Sequence, residues 1–142
     1  EFKINEIVHT ISNAMDVGNP SNFERLQRLL GEKMNPLTGY SFSDDQTKKE
    51  MEYIYDLFGY VADPHTAIGI AAAKSEQAKD PKSTYVCLAT AHPAKFPETI
   101  KGVLNISPEV PLDMKEHLSK KLLASELEPE FASLKKKIKH NF

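Results

Sequence analysis

Three short segments of this 142-residue chain gather the side chains whose types and spacing suit them to act together. One is Thr90-Ala91-His92-Pro93-Ala94-Lys95-Phe96, where a hydroxyl, an imidazole and an ammonium follow directly on an apolar run. In open α/β sheets, ligands bind outside the carboxyl ends of the strands. If residues 84–90 form such a strand, this segment is a polar corner fit for a ligand. The plainer alternative is a strand-to-helix turn, with the Thr90 hydroxyl bonded to backbone and Lys95 in water.

A second segment is Asn19-Pro20-Ser21-Asn22-Phe23-Glu24-Arg25. Free backbone N–H groups at a helix start favour an anion. Ser21 and Asn22 add polar groups, and Arg25, one turn in, is a bidentate phosphate donor. The alternative is ordinary capping with Arg25 paired to a surface acid, and Glu24 favours it by competing for the same amides. The third segment is Asp63-Pro64-His65-Thr66, an N-cap followed by proline at the first helical position, with His65 on the first turn. Cys87, His92 and His65 are of zinc-ligand type, but their spacing fits no metal pattern and no metal site is expected. The lysines Lys135, Lys136, Lys137 and Lys139 suit the solvated end of a last helix, where cations complement the dipole.

The elements that must position these groups are mostly helical. Ser21 to Glu24 reads as a capping box, with Phe23, Leu26, Leu29 and Leu30 at helical spacing and Gly31 as a stop. Residues 34–42 read as a loop broken by Pro36 and Gly39. Ser43 and Gln46 form a second capping box, opening a helix with Met51, Ile54, Tyr55 and Phe58 and an end at Gly59. The Ala-rich run 67–73 follows Asp63-Pro64. Pro97 starts another helix with Ile100, Val103 and Leu104 inward. Two amphipathic helices close the chain, one with Leu112, Leu118 and Leu122, the other with Leu127, Phe131, Leu134 and Ile138.

Residues 84–90 (Thr-Tyr-Val-Cys-Leu-Ala-Thr) are the best strand in the chain, apolar enough to be covered on both faces. Beyond short extended pieces near Ile7 and Tyr60, nothing supplies it with neighbours, and a buried parallel-type strand needs them. The expected class is therefore α/β, helix-rich with an incomplete parallel sheet, the C-terminal part of a larger domain. The chain also opens on Glu1, which agrees with a piece of something longer.

Composition sets the outer limits. With 40% hydrophobic and 27% charged residues, a packed core is possible and wholesale disorder is not expected. Eighteen basic against 20 acidic residues, a net charge of −2, argue against nucleic acid as the main partner. A single cysteine excludes an intramolecular disulfide and Cys-rich zinc motifs, and fits a reducing compartment. No apolar run approaches the ~20 residues of a membrane span, and no signal-peptide pattern opens the chain.

The three segments occur together and in this order in one family. Residues 14–26 (Ala-Met-Asp-Val-Gly-Asn-Pro-Ser-Asn-Phe-Glu-Arg-Leu), 63–69 (Asp-Pro-His-Thr-Ala-Ile-Gly) and 89–96 (Ala-Thr-Ala-His-Pro-Ala-Lys-Phe) resemble the threonine synthases of the long-chain bacterial and fungal branch. The resemblance covers about residues 4–105, and the tail only loosely. It implies the C-terminal part of a tryptophan-synthase-β-like fold (fold type II) in a pyridoxal-phosphate enzyme. Such enzymes convert O-phospho-L-homoserine and water to L-threonine and phosphate, the last step of threonine biosynthesis, in the cytoplasm.

In such a part, residues 1–105 belong to the catalytic domain and 106–142 to a helical extension. The family's Schiff-base lysine and its glycine-rich phosphate loop lie upstream, so no catalytic residue is expected among these 142 and Lys95 is not the cofactor lysine. The fragment alone is then expected to be inactive and to hold no pyridoxal phosphate. Thr90 matches the position where this fold sets a hydroxyl beside the pyridine nitrogen. A neutral partner there leaves the ring less protonated than an Asp would, which favours elimination and replacement chemistry. Asn19, Ser21, Asn22 and Arg25 match one long motif, and His92 and Lys95 the other. The anion argument above assigns the first four to the substrate phosphate, and His92 and Lys95 are further substrate-binding candidates. No nucleic-acid or membrane partner is expected, and self-association through exposed apolar surface is. The competing reading is a self-contained α/β or helical module that binds a small anion or a partner helix.

Overall fold

The computed structural model describes residues 6–31 and 37–141. Six helices follow one another: α1 (Phe23–Leu30), α2 (Asp44–Phe58), α3 (Pro64–Gln77), α4 (Pro97–Leu104), α5 (Leu112–Leu118) and α6 (Phe131–Asn141), with single 3-10 turns at Asn13–Met15 and Pro93–Lys95. None of them is long and apolar enough to cross a membrane.

Local chemistry explains the helix ends. Ser43 accepts from the Gln46 N–H at 3.3 Å while the Gln46 side chain accepts from the Ser43 N–H at 2.8 Å, so the expected capping box opens α2. Gly59, at φ +64°, closes it with an N–H to the Tyr55 carbonyl. Asp63 caps α3 with Pro64 at the first position, and Pro97 starts α4. Along α2, Thr47, Met51 and Ile54 fall on one face and are buried.

That face meets α3 and α4. Met51, Ile54, Ala62, Ala67 and Ile100 form the core, with Ile11, Val61, Ile70, Val103, Leu104 and Ile106 packed around it. Met51 and Ile100 are fully buried, and each such side chain stabilises the fold by roughly 1.5–3 kcal/mol. The chain divides into two compact units, Glu1–Glu109 and Val110–Phe142. The core belongs to the first. In the second, no described side chain is buried.

Several expectations change. Among the described residues there is no strand, so the expected incomplete parallel sheet, the strand at 84–90 and the extended pieces near Ile7 and Tyr60 are not formed as ladders. A strand exists only through its partner's hydrogen bonds, and no described segment pairs with 84–90. The capping box at Ser21 is absent. Helix α1 instead starts at Phe23 after Asn22, whose side chain makes no capping bond. Its apolar stripe is only partly covered: Phe23 and Leu30 are half-buried, while Leu29 is 80% exposed. Gly31, at φ +71°, does end it. The loop expected at 34–42 lies outside the described residues as far as residue 36 and is irregular from residue 37 on. Leu122 and Leu127 lie in coil between α5 and α6. Pro129 disfavours the helical region at Glu128, the residue before it, and α6 starts only at Phe131.

Candidate functional site

Asp63 is the centre from which the three segments are joined. Its carboxylate is 1% exposed. One oxygen, Oδ1, accepts from the His65 backbone N–H and from the His65 ring Nδ1–H, both at 2.9 Å. The other, Oδ2, accepts from the Thr66 hydroxyl. With Nδ1 donating, Nε2 of the neutral ring is an acceptor, and it takes the Ala14 N–H at 3.2 Å. The Phe96 ring packs on the imidazole, centroids 4.8 Å apart and planes tilted by 44°. His65 therefore touches a residue of each of the other two segments. No buried side-chain nitrogen or oxygen is left without a partner among the described residues.

The segment before α1 is closed on itself. Asp16 accepts from the Thr10 N–H at 2.9 Å and from the Thr10 hydroxyl at 2.6 Å. Those two bonds, the hydroxyl's foremost, hold its carboxyl below the ordinary value. The Ile11 N–H reaches Asp44 at the start of α2 at 3.2 Å. Beyond this loop, Asn19, Ser21, Asn22 and Arg25 stand together at the opening of α1. All four are exposed, and none of their side chains makes a hydrogen bond or ion pair among the described residues.

Residues 84–90 lie along α3 by alternate side chains. The Tyr85 hydroxyl donates to the Glu76 carbonyl at 3.2 Å, and Cys87 Sγ lies 3.9 Å from the Thr66 carbonyl. A Cβ at Gly69 would sit 2.8 Å from that sulfur, so glycine permits the close approach. Burial pushes the Cys87 thiol up. Val86 and Leu88 point away, 81% and 76% exposed. One face is covered by helix and the other is bare, where cover on both faces was expected.

At the end of this run, Thr90, His92 and Lys95 share an open concavity of about 590 Å3 with Tyr60 and Val61. Among the described residues the Thr90 hydroxyl makes no hydrogen bond, so the backbone bond weighed for it is not seen. His92 Nδ1 accepts from the Ala94 N–H at 3.1 Å, capping the 3-10 turn at Pro93, and its Nε2 has no partner among the described residues. The structure thus gathers Thr90, His92 and Lys95 at one place and Asn19, Ser21, Asn22 and Arg25 at another, and no hydrogen bond or ion pair joins the two sets.

The connector, His65, is what sequence reasoning passed over as a first-turn residue. The local half was readable: an Asp cap followed at the second and third helical positions by His and Thr puts two side-chain donors on one carboxylate. The Ala14 contact, 51 residues away, left no sequence signal.

A family model described as "Threonine synthase, C-terminal" matches residues 66–138. The threonine synthase of Buchnera aphidicola subsp. Baizongia pistaciae is 36% identical over 138 residues, 95% of this chain and 31% of that protein. The Escherichia coli threonine synthase is 34% identical over 129 residues, 89% of this chain and 30% of that protein. The crystal structure of threonine synthase from Escherichia coli superposes with a TM-score of 0.87 at 30% identity, over all of this chain and 33% of that one. That of PLP-bound threonine synthase from Brucella melitensis gives 0.68 at 26%, over 97% and 35%. The chain spans about a third of the length of the curated relatives it matches. With just over half of its residues under the family model, it belongs to the threonine synthase C-terminal family.

Proposed function

We propose that this chain is the C-terminal part of a cytoplasmic threonine synthase of fold type II, an enzyme that uses pyridoxal phosphate to convert O-phospho-L-homoserine and water to L-threonine and phosphate. The observation that carries the reading is the likeness of the whole chain to one third of the Escherichia coli enzyme. Two features of the chain support it. Residues 84–90 offer a bare apolar face and unladdered backbone, which suits a strand whose neighbours are supplied from outside these residues. The concavity at Thr90 presents an unpartnered hydroxyl, and no carboxylate lines it.

Pyridoxal phosphate, when bound, supplies the electron sink for elimination and replacement on the substrate. The residues present fit its ring side. The Thr90 hydroxyl would hold the pyridine nitrogen, and the absence of a lining acid keeps that nitrogen from being held protonated. No lysine here lies in the family's cofactor-lysine motif and no glycine-rich phosphate loop is present, so this reading gives both tasks to residues outside the chain. His92 Nε2 and the Lys95 ammonium share the concavity with Thr90 and would hold polar groups of the substrate. Asn19, Ser21, Asn22 and the Arg25 guanidinium would take its phosphate, with the first amides of α1 adding their dipoles.

The test is a full-length chimera in which this chain replaces the matched third of the Escherichia coli threonine synthase. Phosphate release from O-phosphohomoserine, with threonine formed in equal amount, is the expected result. A chimera that folds and retains pyridoxal phosphate but releases no phosphate would overturn the reading.

A further inference from the structure

Helix α1 carries four of the proposed substrate residues at or near its opening, yet it buries none of its own side chains. The segment that leads into it, residues 10–16, therefore bears on its direction, with Ile11 packed against the core. Among the described residues, two hydrogen bonds tie residues 10–16 to distant parts of the chain: Ile11 N–H to Asp44 and Ala14 N–H to His65. Of the two acceptors, only His65 also touches the segment that carries Thr90 and Lys95, through the Phe96 ring.

We propose that His65 is a positioning residue for substrate binding: its buried imidazole holds the backbone at Ala14 and the ring of Phe96 in one frame, and so sets the phosphate-binding residues of α1 relative to the Thr90 corner. The proposal rests on the function and substrate assignments given above. It deepens them by naming a residue that touches neither substrate nor cofactor.

The chemistry supports a positioning role over a purely structural one. With Nδ1 donating to Asp63, the ring presents Nε2 as the acceptor toward Ala14. Ala14 is exposed. If the ring were lost, water could take the Ala14 N–H, while the buried Asp63 carboxylate would lose one of its donors. What would be lost is the fixed attitude of the segment that leads into α1.

Two substitutions separate the two nitrogens of the ring in the full-length chimera. His65→Asn places an amide near the Nδ1 position, within reach of Asp63 but short of Ala14. His65→Gln places an amide near the Nε2 position, within reach of Ala14. The measurements are KM and kcat for O-phosphohomoserine, the Kd for inorganic phosphate by calorimetry, and the melting temperature. For His65→Asn, KM and the phosphate Kd should rise by about three- to tenfold, the range of one neutral hydrogen bond, with kcat changed less than about twofold. His65→Gln should recover most of that loss.

Equal behaviour of the two variants, or a lowered melting temperature with KM and phosphate Kd unchanged, would overturn the proposal. Arg25→Ala serves as the control on the underlying reading. If it leaves KM and phosphate Kd unchanged, the phosphate assignment at α1 is wrong and the positioning role falls with it. If Arg25→Ala weakens phosphate while the His65 pair does not, only the positioning role is wrong.

Discussion

Gly69 and Cys87 meet at a distance that leaves no room for a side chain: a Cβ on the helix would lie 2.8 Å from the sulfur. Residues 84–90 are held to α3 at this point and at Tyr85, where the hydroxyl reaches the Glu76 carbonyl. The pair makes a prediction with a definite sign. Alanine is favoured over glycine inside a helix by about 1 kcal/mol, but here it must push the thiol aside. Gly69→Ala alone should lower the melting temperature of the full-length chimera. Added to Cys87→Ala, which removes the sulfur, it should raise it. A double-mutant cycle reads the coupling, and additive effects would show that the contact does not hold the segment.

Thr90→Ala should lower turnover by about two- to tenfold, the range expected for one neutral hydrogen bond, and leave the melting temperature unchanged, because the hydroxyl has no protein partner to lose. Cofactor retention should change less than turnover, since most of that binding is assigned to the phosphate group and the lysine. Melting and turnover measured on one preparation decide the matter. A lowered melting point with turnover intact would return Thr90 to the turn.

The Asp16 carboxyl, held below its ordinary value of 3.8 by the Thr10 hydroxyl and amide, links stability to acid. Its folded value is depressed, so its contribution is fully present above the unfolded value, about pH 4, and is lost as pH falls through the folded one. Asp16→Asn should therefore melt lower than the parent at neutral pH, and the gap should narrow below about pH 4. Melting curves across that range check it, and a gap that stays constant to about pH 2 would rule the linkage out.

The isolated chain should self-associate. Val86 and Leu88 expose an apolar row beside unladdered backbone, and edges of that kind find partners. Sedimentation should show mass rising with concentration, and Val86→Thr with Leu88→Asp should return the chain toward monomer. A monomer at every concentration, before any substitution, would contradict this.

What the sequence revealed was what a few adjacent residues decide among themselves. The Ser43–Gln46 box, Asp63-Pro64, Pro97, and the glycines at 31 and 59 all act within one turn of helix, and all are found as expected. Ser21–Glu24 fits the same capping-box pattern as Ser43–Gln46, a serine followed three residues on by Glu or Gln, but forms no box. α2 lies on the core with Thr47, Met51 and Ile54 buried, whereas α1 has no fully buried residue to select the capped geometry. Residues 84–90 read as a strand covered on both faces, but only the Tyr85 and Cys87 side meets helix and no ladder forms among the described residues, because its hydrogen bonds belong to a partner. The three motif segments stood out by their resemblance to a family, but the ring that joins them depends on a contact 51 residues away.

The carboxylate of Asp63 receives three donors from two nearby residues, His65 and Thr66. His65 thus has its tautomer chosen by four consecutive positions, Asp63-Pro64-His65-Thr66, before any distant segment arrives. Proline presets the backbone of the first turn, and aspartate supplies the cap and orients the imidazole in one stroke. The outcome is a self-contained connector, a helix start with an outward lone pair of fixed direction. Grafted onto the opening of another helix, the same four residues should carry that lone pair with them, ready to anchor whichever backbone amide is brought against it.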